Sequence, residues 1–514
     1  MASRTGKIAA IGLALGLAAF ILLPAVALFW SGASTLSAAT LSAVRFTLLQ
    51  AALSAAVSTV LAIPVARALA RRDFPGKPVL ITFLGAPFLL PVIVAVFGLL
   101  AIFGRTGPIN QALISLGLPS VSIFGLQGVV LAHVFLNLPL ATRMLLQGWQ
   151  SVPAERFRLA ATLGLSPSGL RHHIEFPMLR AVLPGVVVTV FLLCLTSFVV
   201  ALTLGGGPNA TTLELAIYQA LRFDFNPSQA AQLSGLQYAI CAAAVLLSQR
   251  FARPTAFGAG LDRLMPTFAP SGAARWIDAG LLVGVSLFLL LPLVFVVLRG
   301  LPGLSSLPDA VWPAAARSVG IALVAAGLSV AAATTLAVFV ATASRYARWV
   351  ELSAMLPLTA SGLVLGTGLF ILIYPFAAPE RWAVLVTIGV NAALSLPFCF
   401  RLLLPHVQII IKDYGRLSLS LGLTGRDWLC LVAVPRLAGP LGFALGIAAA
   451  LSMGDLGVIA LFAGDQAATL PLVVQRLMGA YRMDQAAAAA LLLVMLSFAI
   501  FGLFDAWGRR YAVS

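Results

Sequence analysis

Apolar residues run along this chain in long unbroken stretches, and the polar residues gather between them. Stretches of about twenty residues, the length an α-helix needs to cross the hydrocarbon core of a bilayer, fall at 8–30, 43–66, 79–103, 123–142, 181–204, 232–249, 277–298, 316–343, 350–374, 382–400, 437–463 and 486–507. The pattern predicts an all-α polytopic membrane protein with about twelve transmembrane helices. A β-barrel is disfavoured, because its strands would alternate in polarity over about ten residues. Arg4 and Lys7 before the first run resemble the start of a secretory signal, but the apolar core is too long and no small-x-small cleavage site ends it, which predicts a retained helix.

Composition agrees with the pattern: of 514 residues 61% are hydrophobic and 9% charged, and the mean hydropathy is +1.04, far outside the range of a water-soluble domain. The net charge of +16 would suit nucleic acid in a soluble chain; here the position of each cation carries the information. With the N-terminus inside and the spans alternating, 24 of the 32 Lys and Arg fall on the inner side, leaving Arg45, Arg105, Arg222, Arg299, Arg317, Arg381, Arg476 and Arg482. That asymmetry predicts cytoplasmic termini and no nucleic-acid partner. The four cysteines (Cys194, Cys241, Cys399, Cys430) form no C-x-x-C and lie mostly in or beside spans, so free buried thiols are expected, with no disulfide framework and no metal site.

The pattern is also written twice. Leu138-Pro139 with Arg143 recurs as Leu396-Pro397 with Arg401, at an offset of 258. The same offset carries Arg158-Leu159 to Arg416-Leu417, Gly164 to Gly422, Ile174 to Val432 and Pro177 to Pro435. Upstream, Pro87 and Gly98 match Pro357 and Gly368 at an offset of 270, because the first copy has a longer loop around 104–122. Six spans in the same order on each side predict two parallel repeats, 1–249 and 277–514, joined by a cytoplasmic linker over 250–276 rich in Arg, Pro and Gly.

Between spans four and five, and again between ten and eleven, the repeated segment is near forty residues long, where a plain connection needs about two to eight. In the first copy Pro153 suits the start of a helix, and Val152, Phe157, Ala160, Ala161 and Leu163 give it a small, apolar face. Gly164 permits a sharp turn, Ser166-Pro167 starts a second helix, and Pro177 marks the start of span five. The expectation is a helix–Gly–helix elbow that protrudes from the membrane in each half, with Ala160 and Ala161 small enough to let a partner approach closely.

These elbows resemble the coupling loops of type I, binding-protein-dependent ABC importer permeases, whose pattern is Glu-Ala-Ala, three residues, Gly, nine residues, Ile-x-Leu-Pro. Arg158, Leu159 and Ala160 stand at the first three positions, followed by Gly164, Ile174, Phe176 and Pro177; in the second half Arg416, Leu417 and Ser418 precede Gly422, Val432, Val434 and Pro435. The spacing is complete twice, while the family's Glu is Arg in both copies. The resemblance implies that the elbows, with Ala161 beside them, dock into two copies of a cytoplasmic ATPase subunit and transmit its closure. The chain itself has no P-loop: its only lysines are Lys7, Lys77 and Lys412, none in a G-x-x-x-x-G-K-[ST] setting. A transport subunit without its own ATPase site is therefore expected, with ATP and Mg held by the partner subunits and no cofactor on this chain.

Polar residues at membrane depth are candidates for the substrate pathway. Asp455 lies in span eleven between Gly454 and Gly457; Ser197 ends span five; His133 and Asn137 in span four face Asn391 and Ser395 at the 258 offset. Hydrogen-bonded helix contacts are the other use of the same side chains. Thr211 followed by Glu214 reads as a capping box opening a short amphipathic helix on the outer face, which assigns Glu214 to the cap.

Within the importer family, HVFLNLPLATRMLLQ (133–147) and LGGGPNATTLELAIYQAL (204–221) resemble the permeases of importers for thiamine and its phosphates, over most of the first half. That likeness implies a bacterial inner-membrane complex with a periplasmic substrate-binding protein delivering a small molecule. Ferric iron import is the alternative within the family, and an ion-gradient-driven secondary transporter the alternative outside it. A membrane enzyme finds no support, since the histidines (His133, His172, His173, His406) join no acidic cluster with metal-ligand spacing.

Overall fold

The computed structural model describes residues 4–32, 37–85, 89–205, 207, 210–251, 272–342, 345–423, 425–464 and 467–511. Pro87 and most of the linker, 252–271, lie outside the described residues. In the first half of the chain α1 (Arg4–Ser31) and α2 (Ala38–Arg71) precede α3 (Lys77–Phe83), α4 (Val92–Phe103) and α5 (Pro108–Ser115). There follow α6 (Leu126–Gln150), α7 (Ala154–Thr162), α8 (Pro167–Leu170), α9 (Phe176–Leu195), α10 (Phe198–Leu204), α11 (Leu213–Arg222) and α12 (Pro227–Phe251). The second half holds α13 (Ala273–Gly300), α14 (Val311–Ala341), α15 (Ala347–Met355), α16 (Gly362–Ile373) and α17 (Ala383–Ser420). It ends with α18 (Arg426–Trp428), α19 (Val434–Met453), α20 (Gly457–Phe462), α21 (Leu470–Gly479) and α22 (Met483–Tyr511).

Among the described residues 11 helices are long and apolar enough to cross a membrane, or 12 when the bent pair Ala347–Thr359 and Gly362–Ile373 counts as one span. The chain is thus a multi-pass membrane protein. Each apolar run of the sequence meets a helix, but four of them are broken. Runs three and nine split into α3 with α4 and α15 with α16, the second pair bent by 94°. Runs five and eleven split at Thr196–Ser197 and at Gly454–Leu456. Pro91 and Pro357 stand at the first two breaks, where a missing N–H and a fixed φ end a helix cheaply.

The helices keep the sequence register. Helix α9 and its counterpart α19 begin 258 residues apart and end 258 apart, and α4 and α16 are offset by 270 at both ends. In each half three long helices pack together, α2 with α6 and α9, and α14 with α17 and α19. The buried faces of the first helix of each trio are small or weakly polar: Thr47, Ser54, Ser58 and Ala62 on α2, and Ser318, Ala322, Ser329 and Ala333 on α14. Inside a bilayer, where lipid tails are as apolar as leucine, close approach of small side chains is what holds helices together.

The first helix of each half crosses to the other. Helix α1 packs on α16 and α13 packs on α4, and both crossings use the same device. A Cβ placed on Gly98 would stand 2.7 Å from the carbonyl oxygen of Pro292, and one on Gly368 would stand 2.6 Å from Cβ of Pro24. Only a bare glycine lets the partner's proline turn come this near. Gly98→Val and Gly368→Val are each expected to destabilise the bundle by about 1–3 kcal/mol through overpacking. The check is the melting temperature of the detergent-purified protein; unchanged melting in both variants would show that the crossings tolerate a side chain.

Candidate functional site

The elbows are built alike around a glycine. In the first, Leu165 N–H reaches Ala160 O at 3.0 Å and Gly164 N–H reaches Ala161 O at 3.0 Å; in the second, Leu423 N–H reaches Ser418 O at 2.9 Å and Gly422 N–H reaches Leu419 O at 3.1 Å. This is the Schellman pattern, which satisfies the last carbonyls of a helix and requires a left-handed residue one place beyond its cap. Gly164 has φ +60° and Gly422 has φ +67°, a region closed to most side chains at a cost of about 1–2 kcal/mol.

Beyond the glycine the second helix starts at Pro167 as expected, with Ser166 Oγ accepting from Gly169 N–H at 3.2 Å, but it does not end before span five. From Pro167 the chain stays helical into α9, passing through a π turn at Arg171–Glu175, and the second half does the same at Leu429–Ala433. The N–H of Phe176 reaches back five residues to Arg171 O, and that of Val434 to Leu429 O. Pro177 and Pro435 come one residue later, where a proline ring would strike the carbonyl four residues back in a regular α-helix; the wider π turn makes room. Both prolines therefore lie inside the first turn of the span helix.

The predicted coupling residues divide between two faces. Arg158, Leu159, Ala161, Gly164, Arg416, Leu417 and Gly422 are exposed, and Ile174 and Val432 are half-buried. Ala160 and Ser418 are buried at 4% and 2% exposure, so the small residue at this position serves packing within the chain rather than the approach of a partner. Phe157 is buried beside Ala160, and Ser418 Oγ donates to Tyr414 O at 2.8 Å. The outward face carries leucines, each more than half exposed: Leu159 and Leu417, named above among the coupling residues, Leu163 of the apolar face, and Leu419 and Leu421, which sequence reasoning passed over. Their signal was available, since leucines outside the apolar runs have no bilayer to cover them.

The supports behind the elbows are not alike. Arg67 of α2 holds Glu175 in the first π turn at 3.0 Å, and Arg71 and Arg72 both pair with Asp278 at the start of α13. In the second half Arg436 lies 3.8 Å over the ring of Tyr414. The helix before the turn also differs: Pro153 breaks α6 from α7, whereas Ile411, at the same register, lets α17 run unbroken to Ser420.

The candidate pathway residues fall into two groups. His133 accepts or donates at 3.1 Å with Ser54, Asn137 donates to Cys194 Sγ at 3.4 Å, and Asn391 donates to Ser452 Oγ at 2.9 Å. These three tie long helices to one another inside each half. Ser197 and Asp455, 258 residues apart, occupy the breaks in spans five and eleven. Asp455 lies against the backbone N–H groups of Gly457 and Val458, while its Oδ2 has no hydrogen-bond partner among the described residues. Of the cysteines, Cys194, Cys241 and Cys399 are buried thiols as expected, but Cys430 is exposed on the second π turn.

Glu214 does not cap its helix. Thr212, not Thr211, is the N-cap of α11, its side chain accepting from Leu215 N–H at 3.3 Å. Glu214 turns inward to 0% exposure, where Gln237 Nε2 donates to it at 3.3 Å and the Ser361 hydroxyl stands beside it.

Relatives match this chain in sequence along nearly its whole length. The thiamine transport system permease protein ThiP of Salmonella typhimurium is 41% identical over 484 residues, covering 91% of this chain and 89% of its own. The chain belongs to this permease family. The ThiP of Escherichia coli is 40% identical over 90% of this chain and 88% of its own, and that of Haemophilus influenzae 32% identical over 89% and 87%. A shorter likeness, 29% over 148 residues, links the chain to the sulfate transport system permease protein CysW of Synechococcus elongatus. No protein-family model matches the chain. In this permease the ion pair behind the first elbow is expected to stiffen that elbow alone. Arg67→Ala leaves Glu175 buried without its cation, a cost of about 1–3 kcal/mol. Amide exchange should therefore quicken across 154–175 and stay unchanged across 412–433; an equal response in both elbows would disprove the asymmetry.

Proposed function

We propose that the chain is the transmembrane permease of an ATP-driven importer of thiamine and its phosphates, made of two fused repeats, 1–249 and 277–514. The observation that carries this reading is the pair of glycine elbows in one register, on a chain about 40% identical to thiamine permeases over nine-tenths of its length.

In this reading the elbows and both termini lie in the cytoplasm of a bacterial cell, and the spans cross its inner membrane. Two ATPase subunits dock on the elbows, one covering Leu159 and Leu163, the other Leu417 and Leu421. ATP and Mg belong to those subunits; this chain binds no cofactor and catalyses nothing. A periplasmic binding protein delivers the substrate to the opposite face. ATP binding closes the ATPase pair, which presses the elbows and turns the cavity between the repeats outward, and hydrolysis resets it. The two states exchange because nucleotide binds the closed pair more tightly, so the shift is driven by differential affinity. Arg158 and Arg416, where the coupling pattern that the elbows resemble has Glu, invert the charge that the elbow presents to its socket, which calls for an acidic or neutral groove on this chain's own ATPase.

The test is uptake of labelled thiamine in cells lacking the chain, with wild type, Gly164→Asp, Gly422→Asp or the double variant supplied back. Wild type is expected to restore uptake that stops on ATP depletion, and the double variant to restore about a tenth of it or less, as befits a strained turn and an added charge at the docking tip. Normal uptake in the double variant would defeat coupling through the elbows. Uptake that survives ATP loss and collapses with the proton gradient would replace the importer by a secondary transporter.

A further inference from the structure

The seam between the two halves holds a set of polar groups that none of the packing explains. Helix α11 brings Glu214, α12 brings Gln237, the N-cap of α16 is Ser361, and the break between α19 and α20 brings Asp455. They meet around the first residues of α16. The Ser361 hydroxyl stands beside the Glu214 carboxylate. On the next residue, a Cβ built on Gly362 would stand 3.9 Å from Asp455 Oδ1. Two carboxylates, one from each half, thus flank a single dipeptide. Gln237 joins them to span five, donating to Leu195 O at 2.9 Å at the very end of α9, and Tyr238 beside it reaches Thr359 across the seam at 3.3 Å.

The hydrogen-bond balance of this cluster is one-sided. Glu214 Oε2, Gln237 Oε1 and Asp455 Oδ2 are buried and have no partner among the described residues. Glu214 and Gln237 are at 0% exposure. All three orphaned atoms are acceptors, and neither carboxylate is ion-paired among the described residues. A protein seldom buries unpaired acceptors at a domain seam without a use, since each costs free energy that nothing local returns. The missing complement is a positive charge with N–H donors. The N-terminus of α16 and the N–H groups of Gly457 and Val458 favour an anion only in part; each carboxylate keeps one oxygen free. The repeat offers no copy of this arrangement: Pro471, the second residue of α21, stands at the register of Glu214, and Ser197 at that of Asp455. A feature present once, at the seam of a twofold design, is what a site for one molecule requires.

We propose that Glu214 and Asp455, with Gln237 and Ser361 between them, form the cation site of the membrane pathway, receiving an organic cation that carries N–H donors. Resting on the thiamine reading above, the proposal assigns the carboxylates to the thiazolium charge and to the amino group of the pyrimidine ring, with any phosphate turned away from them. In the structure Glu214 is shut between α11, α12 and α16, and Asp455 is half-buried at the break between α19 and α20. Separation of the halves is what opens it, so the site is loaded and emptied by the movement that the elbows drive.

The test uses the whole transporter, chain, ATPase and binding protein, in liposomes. Two labelled probes are compared: thiamine, and the uncharged analogue in which carbon replaces the thiazolium nitrogen. The same binding protein is used throughout, so its own preference cancels. Glu214→Gln and Asp455→Asn are expected to slow thiamine uptake by about tenfold or more at limiting substrate and to bring the thiamine-to-analogue ratio down with it. Glu214→Asp should regain part of both. Variants that co-purify with the ATPase yet keep the wild-type ratio overturn the site, as does an equal fall for both probes, which marks a structural role. If Glu214→Gln does not assemble, Glu214→Asp and Asp455→Asn carry the comparison. Wild type that fails to import thiamine removes the functional reading and the proposal with it, an outcome distinct from normal import with unchanged ratios.

Discussion

Two crossings, Pro24 on Gly368 and Pro292 on Gly98, fix how the halves are joined, and the other features of the molecule lean on them. Because the first helix of each half lies against the other half, neither bundle can part from its partner without unstitching a helix from its own start. Each crossing brings one helix onto the backbone of another, because the glycine carries no side chain to hold them apart.

The elbows share a backbone and differ in what stands behind them. The first is set off from α6 by Pro153 and anchored by the ion pair of Arg67 with Glu175; the second is the rigid end of α17, with Arg436 stacked on Tyr414. The same backbone turn is thus backed by an ion pair in one half and by a cation–π contact in the other.

Much of this was legible in the sequence, and the reasons are physical. Spans are read from runs of about twenty apolar residues, and a constant offset of 258 between elbows is a stronger signal than any single motif. The breaks at Thr196–Ser197 and Gly454–Leu456 were harder, because an interruption of two or three residues barely lowers the hydropathy of a run of about twenty. Ala160 was misassigned for another reason: a small residue fits an inner contact and an outer one equally well, and only the neighbouring Phe157 decides. The Thr211–Glu214 spacing satisfied a local capping rule that tertiary structure overrode, since Gln237 and Ser361, the groups that hold Glu214, lie far along the chain.

The π turns at Arg171–Glu175 and Leu429–Ala433 have an effect that reaches the whole of the helices after them. A π turn is an α-helix holding one residue more than its geometry wants, and one residue is about 100° of rotation. Everything beyond it, from Phe176 to Leu195 and from Val434 to Met453, is turned by that angle relative to an uninterrupted helix. The azimuth of spans five and eleven, hence which side chains look toward the seam and which toward lipid, is therefore set by where a single proline stands at the membrane boundary.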